Sequence, residues 1–274
     1  MGYLQAILLG ALQGIGEFLP ISSSGHLLLA ELLFGFDRTN PAYLLLDVLL
    51  HVGTLVPILI VFWDKWIGML LHPVQNKNLW GMLILASVPA LAVHVLGIDD
   101  GFENGWFLGC SFLITALFML VTELYSRKHP GIEEVGYKNA LIMGCFQGVA
   151  LLPGVSRSGS TITGGVLSGL SRQAAASFSF MMCAPAIGGS LIFEMKDAIE
   201  EGYLSYLDPA PMLLGIIVSA VVGYIAIRFM LKLIQKISLG YFALYLAVIG
   251  LAYLVMQAVG APMVPAFAFP AGGM

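Results

Sequence analysis

The sequence predicts an all-α polytopic membrane protein with two inverted-topology repeats, each holding one re-entrant helical hairpin and three transmembrane helices. Three observations predict this class. Of the 274 residues, 59% are hydrophobic and only 10% are charged, whereas soluble domains carry about 25% charged residues. Several apolar runs reach the roughly 17–25 residues that a helix needs to cross a bilayer. The most polar turns of the chain recur at a constant offset of 134 residues.

The composition excludes several classes of protein. Too few charged side chains are present to cover a water-facing surface, which argues against a soluble enzyme or a disordered chain. A net charge of −4 gives no basic surface for a phosphate backbone, so we expect membrane lipids and no nucleic acid as partners. Cys110, Cys145 and Cys183 lie far apart in apolar runs, and we expect buried thiols rather than a disulfide or zinc site.

Ten apolar segments account for most of the chain. Six are long enough to span a membrane, and they cover 43–63, 79–97, 106–123, 177–195, 211–231 and 239–259. Four shorter segments form two pairs, 3–16 with 26–36 and 139–151 with 161–171, and polar turns at 19–25 and 153–160 separate their members. Two short helices joined by a turn rich in Pro, Gly and Ser are typical of a re-entrant hairpin, which must be buried in protein or line a wet cavity.

A shift of 134 residues aligns the two polar turns. The identical pairs are Gly10 and Gly144, Gln13 and Gln147, Gly14 and Gly148, Ser22 and Ser156, Ser24 and Ser158, and Gly25 and Gly159. So many matches without a gap indicate an internal duplication. We therefore expect one membrane domain over 1–259, with repeat one at 1–123, repeat two at 138–259, and an uncharged, proline-containing tail at 260–274.

The loop charges predict how the two halves are oriented. Three spans per half place the halves in opposite orientations. The loops at 64–78, 124–138 and 228–238 are basic, and those at 98–105 and 196–208 are acidic. The positive-inside rule makes the basic loops cytoplasmic and both termini extracytoplasmic. Inverted repeats bring broken segments together near the middle of the membrane, where substrate sites form.

The first hairpin carries a carboxylate inside an apolar segment. Gln13 and Glu17 are four residues apart and share one helix face. A buried carboxylate is expensive and is a candidate for function, with a structural hydrogen bond as the alternative. Three serines and a histidine follow within ten residues: Ser22, Ser23, Ser24 and His26. Carboxylate, hydroxyl and imidazole groups together suit acid–base or nucleophilic chemistry.

The second hairpin carries a lone cation among hydroxyl groups. Arg157 is the only ionised residue between Lys138 and Arg172, and it stands at a predicted helix start. Backbone N–H groups at a helix start favour an anion, and a guanidinium matches phosphate oxygens two at a time. These features predict a phosphate or diphosphate site, with an ion pair to Glu17 as the structural alternative. The flanking hydroxyls are those of Ser156, Ser158 and Thr161.

These motifs resemble those of the undecaprenyl-diphosphate phosphatase family, the bacitracin-resistance proteins. Gln13-xxx-Glu17 resembles the family's Glu/Gln-xxx-Glu motif, and the run from Pro153 to Thr161 matches its Pro-Gly-x-Ser-Arg-Ser-x-x-Thr motif. The segments 22–26 and 47–54 also match, and the resemblance extends to about residue 259. Because Gln13 stands where many members have Glu, Glu17 is the only carboxylate of the first motif.

The resemblance implies a polyprenyl diphosphate lipid as substrate. The implied reaction hydrolyses undecaprenyl diphosphate to the monophosphate and inorganic phosphate in the bacterial plasma membrane, and so recycles the carrier of cell-wall synthesis. It implies a divalent cation, Mg²⁺ or Ca²⁺, held by Glu17 with Gln13. The expected catalytic residues are Glu17, Ser23, His26 and Arg157, and the expected diphosphate ligands are Ser22, Ser24, Ser156, Arg157, Ser158 and Thr161. Asp47, His51 and Glu31 lie in or near apolar segments beside the first hairpin, and from this position we expect them to support the site through hydrogen bonds, with direct catalysis as the alternative.

Other functions remain open at this stage. Inverted repeats with broken helices are also typical of secondary transporters, and a lipid flippase would share them. The lipid-phosphatase superfamily is disfavoured because no Lys or Arg precedes Ser24 and because no His follows His129. The nucleophile can be Ser23, His26 or water, and an active site open to the extracytoplasmic side is expected. The sequence is compatible with a homo-oligomer.

Overall fold

The computed structural model describes residues 2–35, 41–98, 102, 104–200, 202, 208–262 and 264–266. Within these ranges the chain is all-helical apart from one isolated β-bridge between Ile132 and Leu170. The helices are α1 (Tyr3–Phe18), α2 (Ser23–Phe34), α3 (Pro41–Val61), α4 (Trp63–Leu71), α5 (Lys77–Val95), α6 (Leu108–Ser126), α7 (Tyr137–Val149), α8 (Arg157–Leu167), α9 (Arg172–Glu200), α10 (Pro209–Leu233) and α11 (Gly240–Ala258).

The helices confirm a polytopic membrane protein. Five of them, α5, α6, α9, α10 and α11, are long and apolar enough to span a membrane. The sixth predicted span is bent, because α3 and α4 meet at 78° around Phe62. The prediction of a loop from residue 64 was wrong as far as residue 71. In α4, Trp63 and Trp66 flank Asp64 and Lys65. This mixture of aromatic and charged groups is typical of the membrane interface.

The two hairpins have matching starts and caps. Tyr3 and Tyr137 begin the first helix of each hairpin, 134 residues apart, and Ser23 and Arg157 begin the second at the same offset. Each second helix has a serine N-cap. The Ser22 hydroxyl accepts a hydrogen bond from the Gly25 N–H, and the Ser156 hydroxyl accepts one from the Gly159 N–H, both at 3.1 Å. These caps satisfy amide groups that would otherwise be unpaired inside the protein.

Glycines let each hairpin lie against a span of the other half. A Cβ at Gly14 on α1 would lie 2.8 Å from the Ser219 carbonyl oxygen on α10. A Cβ at Gly144 on α7 would lie 2.6 Å from the Ala86 carbonyl oxygen on α5. Small residues are what allow helix backbones to approach so closely in membranes. The pairs α1–α10 and α7–α5 therefore fix the hairpins among the spans.

Helices α6 and α11 run antiparallel. The N–H of Leu239, just before α11, donates to Glu123 near the end of α6 at 2.8 Å. Gln257 near the end of α11 donates to the carbonyl of Trp106, just before α6, also at 2.8 Å. Inverted repeats require such a relation between equivalent helices. The orientation of the halves in a membrane and the repeat boundaries stay predictions, and the acidic loops and the tail lie partly outside the described residues.

The tips of the two hairpins meet inside the core. A Cβ at Gly25 would lie 2.9 Å from Cα of Gly154. The Ser158 hydroxyl donates to the Leu19 carbonyl at 3.2 Å. Around them Phe18 packs edge-to-face on Phe180, with ring centroids 5.5 Å apart. This contact brings the end of α1 and the start of α8 together.

Candidate active site

An ion pair joins the two hairpin tips. Glu17 lies in the last turn of α1 and Arg157 is the first residue of α8. The Arg157 Nη2 contacts Glu17 Oε1, and the two side chains are 19% and 3% exposed. A charge this deep needs a partner, because an unpaired buried ion is strongly destabilising. The alternative considered for Arg157, an ion pair with Glu17, is therefore present in this structure.

The other carboxylate oxygen of Glu17 receives hydrogen bonds from the first hairpin. The Ser23 hydroxyl donates to Oε2 at 3.0 Å, and Gln13 Nε2 donates to it at 3.1 Å. His51 Nε2, on α3, lies 3.7 Å from the same oxygen. A serine hydroxyl held on a carboxylate is the arrangement of a nucleophile and its base.

The backbone around Ser23 is shaped for this contact. Ser22 has φ of 72°, the only positive φ of a residue other than glycine among those described. Such a conformation is disfavoured for L-residues and persists only where the surroundings enforce it. A Cβ at Gly16 would lie 2.7 Å from the Cα of Ser23. The tip thus folds tightly back on α1 and brings Ser23 to Glu17.

A cavity of about 280 Å³ opens beside the ion pair. Its lining combines polar and apolar residues, which suits a ligand with a charged head and a hydrocarbon tail. The polar lining residues are Glu17, Ser22, Ser23, Ser24, Asp47, His51, Gln147, Arg157 and Ser190. The apolar lining residues, with glycine, are Gly16, Val48, Ala90, Ala150, Leu151, Val155, Ala186, Ile187 and Leu191.

His26 is held away from this cavity. Its Nδ1 lies 2.8 Å from the Ser22 carbonyl oxygen, and its Nε2 lies 2.8 Å from the Tyr245 hydroxyl. Its ring also stacks on Tyr245 at 5.7 Å. Both ring nitrogens are therefore engaged, and within the described residues His26 is not among those that line the cavity. The geometry joins His51, not His26, to Glu17, although the sequence favoured His26 for catalysis.

Three hydroxyls of the second hairpin also serve its own structure. Ser156 caps α8, and the Ser158 hydroxyl donates to Leu19. Thr161 donates to the Arg157 carbonyl at 2.8 Å and lies 2.6 Å from the Ser179 hydroxyl. All three side chains are at most 1% exposed. Their hydrogen bonds are internal in this structure, and their binding of diphosphate stays a prediction.

The remaining predicted residues divide into two groups. Asp47 and His51 line the cavity from α3. Glu31 is buried on α2, apart from the cavity-lining part of the described chain. Gln147 and Ser190 line the cavity but were not predicted as site residues. The alignment of Gln147 with Gln13 was the available signal for the first, and no pattern in the sequence marks Ser190.

The carboxylates fit a cation that shares its shell with a ligand. Across the described ranges no three His, Cys, Asp or Glu side chains converge. Mg²⁺ often takes only one or two protein carboxylates and fills its shell with phosphate oxygens and water. Glu17 and Asp47, which both line the cavity, supply two such carboxylates. Gln13 faces Glu17 through its nitrogen, and its Oε1 is buried without a hydrogen-bond partner in the described structure.

Fold and site together define a polytopic membrane protein with a buried serine–carboxylate–arginine site at the meeting point of two hairpins. A family model described as "Bacitracin resistance protein BacA" matches residues 6–252. The chain belongs to this family.

Relatives resemble the chain over nearly its whole length. It is 38% identical over 268 residues to the undecaprenyl-diphosphatase of Carboxydothermus hydrogenoformans, covering 95% of this chain and 99% of that protein. It is 37% identical to the undecaprenyl-diphosphatase of Halothermothrix orenii, covering 94% of this chain and all of that protein. It is 36% identical to the undecaprenyl-diphosphatase of Methanosphaera stadtmanae, covering 93% of this chain and 98% of that protein.

Proposed function

We propose that this protein is an integral-membrane phosphatase that hydrolyses undecaprenyl diphosphate to undecaprenyl phosphate and inorganic phosphate. This activity would recycle the lipid carrier of cell-wall synthesis and confer resistance to bacitracin. The observation that carries the proposal is the Glu17 carboxylate, which contacts both the Ser23 hydroxyl and the Arg157 guanidinium. Membership of the BacA family and the names of the relatives support the same reaction.

Arg157 binds the diphosphate in this proposal. Its guanidinium can exchange Glu17 for two phosphate oxygens, because its planar fork of N–H donors matches a pair of oxygens on either a carboxylate or a phosphate. The exchange keeps a charge partner for Arg157 throughout binding. It also frees one carboxylate oxygen of Glu17. In the low-dielectric interior, a fixed guanidinium stabilises the charge that develops on the phosphoryl oxygens.

Ser23 is the nucleophile and Glu17 its base. The Ser23 Oγ attacks the terminal phosphorus as Glu17 accepts its proton, and the bridging P–O bond breaks to release undecaprenyl phosphate. Glu17 passes that proton to the leaving phosphate oxygen. Water then attacks the phosphoserine as Glu17 accepts a proton from it, the bond between phosphorus and Ser23 Oγ breaks, and Glu17 returns the proton to Ser23 Oγ, which releases inorganic phosphate. His51, 3.7 Å from Glu17, is placed to relay that proton. The contact of 3.0 Å between Ser23 and Glu17 favours this path over direct attack by water.

Glu17 and Asp47 would hold the divalent cation, Mg²⁺ or Ca²⁺. A bound cation neutralises diphosphate charge and polarises a phosphoryl oxygen. Gln13 supports this role by donating its N–H to Glu17, which fixes the carboxylate, rather than by acting as a ligand itself. The isoprenoid chain would lie along the apolar lining residues of the cavity and continue into lipid.

We further propose a plasma-membrane location with inverted repeats at 1–123 and 138–259 and both termini extracytoplasmic. The antiparallel packing of α6 and α11 supports inversion, and the loop charges support the orientation. The active-site cavity would then open to the extracytoplasmic side.

Phosphate release from purified protein tests the function. We expect undecaprenyl diphosphate to yield one phosphate per lipid with Mg²⁺ or Ca²⁺ present, and EDTA to stop the reaction. Glu17→Gln keeps the size and hydrogen bonding of the side chain but removes its charge, so it should lose turnover and metal dependence together. Lipid movement across vesicles without phosphate release would instead favour a flippase.

A further inference from the structure

A buried amide on the cavity wall has no role in the chemistry above. Gln147 on α7 lines the same cavity as Glu17 and Arg157 and is only 2% exposed. Its Nε2 donates to the Ala86 carbonyl oxygen on α5 at 3.4 Å. Its Oε1 is buried and has no hydrogen-bond partner within the described residues.

The Ala86 carbonyl fixes the direction in which this amide faces. Exchanging nitrogen and oxygen would bring two acceptors together, the Gln147 Oε1 and the Ala86 oxygen. The amide oxygen of Gln147 is therefore turned away from α5. In native proteins nearly all buried polar atoms have a partner, so this oxygen calls for one that the described residues do not supply, such as a water molecule or an ion.

The same arrangement occurs in the first hairpin. Gln13 is the residue that aligns with Gln147 at the 134-residue offset. Its Nε2 donates to Glu17 at 3.1 Å, and its Oε1 is likewise buried without a partner in the part of the chain that is described. Each hairpin thus contains a glutamine whose amide nitrogen donates a hydrogen bond and whose amide oxygen has no partner among the described residues. Only the oxygen of Gln147 belongs to a residue that lines the cavity.

The surrounding groups define the chemistry of the ligand. An ionised phosphate oxygen cannot be the direct partner of an amide oxygen, because both are hydrogen-bond acceptors. Glu17 and Asp47 also line this cavity. Carboxylates combined with a neutral amide oxygen form the ligand set of a hard cation such as Mg²⁺ or Ca²⁺.

We propose that Gln147 is a ligand of the divalent cation, and that its amide oxygen completes an oxygen site with Glu17 and Asp47. This inference rests on the proposed function, in which the cation neutralises the diphosphate. The ligands of this site would come from α1 and α3 in the first half of the chain and from α7 in the second half. Metal binding would therefore hold the two hairpins together while Arg157 releases Glu17 to bind the substrate.

Metal affinity without substrate tests the assignment. Mn²⁺ serves as the probe, and electron paramagnetic resonance of purified protein in detergent measures free Mn²⁺ during a titration. Gln147→Met keeps the length of the side chain and removes the oxygen, so we expect Mn²⁺ to bind at least tenfold more weakly. Gln147→Glu supplies a charged oxygen and should bind as tightly as the wild type or more tightly.

Gln257→Met is the matched control. Gln257 is a partly buried glutamine on α11 that donates to the Trp106 carbonyl, and it is not among the described residues that line the cavity. Its substitution removes a comparable amide and should leave Mn²⁺ affinity unchanged. Thermal unfolding of each variant should show that Gln147→Met remains folded at the temperature of the titration.

The outcomes separate this inference from the function on which it rests. Wild-type Mn²⁺ affinity in Gln147→Met, or equal weakening in Gln147→Met and Gln257→Met, would overturn the assignment. Phosphate release by a wild-type protein that binds no Mn²⁺ would also overturn it, while the phosphatase would stand. Binding of Mn²⁺ that depends on Gln147, in a protein that releases no phosphate, would support the site and refute the phosphatase.

Discussion

At the scale of residues, the site depends on one carboxylate shared among several donors. Glu17 has Arg157 on one oxygen, with Ser23 and Gln13 on the other. The i to i+4 spacing of Gln13 and Glu17 predicted their contact from the sequence. The sequence could not show that His26 is engaged by Tyr245, because the two residues are 219 positions apart and meet only through the packing of α11.

Replacing Arg157 with lysine should remove most of the activity although the charge is retained. Lysine cannot present two parallel N–H donors to a phosphate. The expected loss of transition-state stabilisation is about 2–4 kcal/mol, the scale of removing one preorganised donor. The loss is measured as the ratio of kcat/KM for phosphate release between the wild type and Arg157→Lys. A kcat/KM near that of the wild type would show that Arg157 serves only the ion pair with Glu17.

The two histidines should respond differently to substitution. His51→Gln keeps a polar side chain on the cavity wall but cannot relay a proton, so kcat should fall by about 10²–10⁴-fold, as for a lost acid–base group. His26→Gln should mainly lower the thermal unfolding temperature, because it breaks the hydrogen bonds of His26 to the Ser22 carbonyl and to the Tyr245 hydroxyl. A folded His26→Gln protein with a larger loss of kcat than His51→Gln would assign the proton transfer to His26.

At the scale of elements, the hairpins are held by close backbone contacts. The paired glycines and the serine caps follow from the repeat and were visible in the sequence as identical residues at one offset. The bend at Phe62 and the helix α4 could not be predicted from the sequence, because hydropathy alone does not distinguish a straight span from a span followed by an interfacial helix. The second hairpin was predicted as a diphosphate cradle, but its hydroxyls are used by neighbours distant in sequence, such as Leu19 and Ser179.

A side chain at Gly144 should destabilise the contact between α7 and α5. The Cβ of Gly144→Ala would lie 2.6 Å from the Ala86 carbonyl oxygen. Because the backbone must move to make room, we expect the free energy of unfolding to fall by about 1–3 kcal/mol, as for other overpacked sites. Gly68→Ala on α4 is the control, since nothing lies within 4 Å of its added Cβ. The free energies of unfolding of Gly144→Ala and Gly68→Ala are compared by denaturation in mixed micelles. Equal stability of both variants would mean that the α5–α7 contact is looser than described.

At the scale of the whole molecule, hydropathy made the fold class predictable. The long apolar runs and the two polar turns indicated the number and order of the long helices before any contact was known. The antiparallel packing of α6 on α11 is a relation that only the structure supplies, although Glu123 and Gln257 stand at the same 134-residue offset as the matched hairpin residues. Which residues face the cavity depends on helix rotation, and the sequence left that open.

The proposed orientation predicts the labelling of introduced cysteines in intact cells. Thiols at 228–238 or 124–138 should be protected from an impermeant reagent added outside, because these basic segments are expected to be cytoplasmic. A thiol at Tyr3, near the start of α1, should react. Reaction at 228–238 together with protection at residue 3 would reverse the orientation and place the cavity on the cytoplasmic side.

The central claim is that Ser23, Glu17 and Arg157 cleave a lipid diphosphate. Phosphate release from undecaprenyl diphosphate by purified wild-type protein and by Ser23→Ala tests it most directly. We expect release by the wild type and a loss of at least about 10³-fold in Ser23→Ala, because removing a nucleophile leaves only binding and electrostatic stabilisation. Wild-type turnover in a folded Ser23→Ala protein would contradict the assignment of the nucleophile, and no release by the wild type would contradict the phosphatase itself.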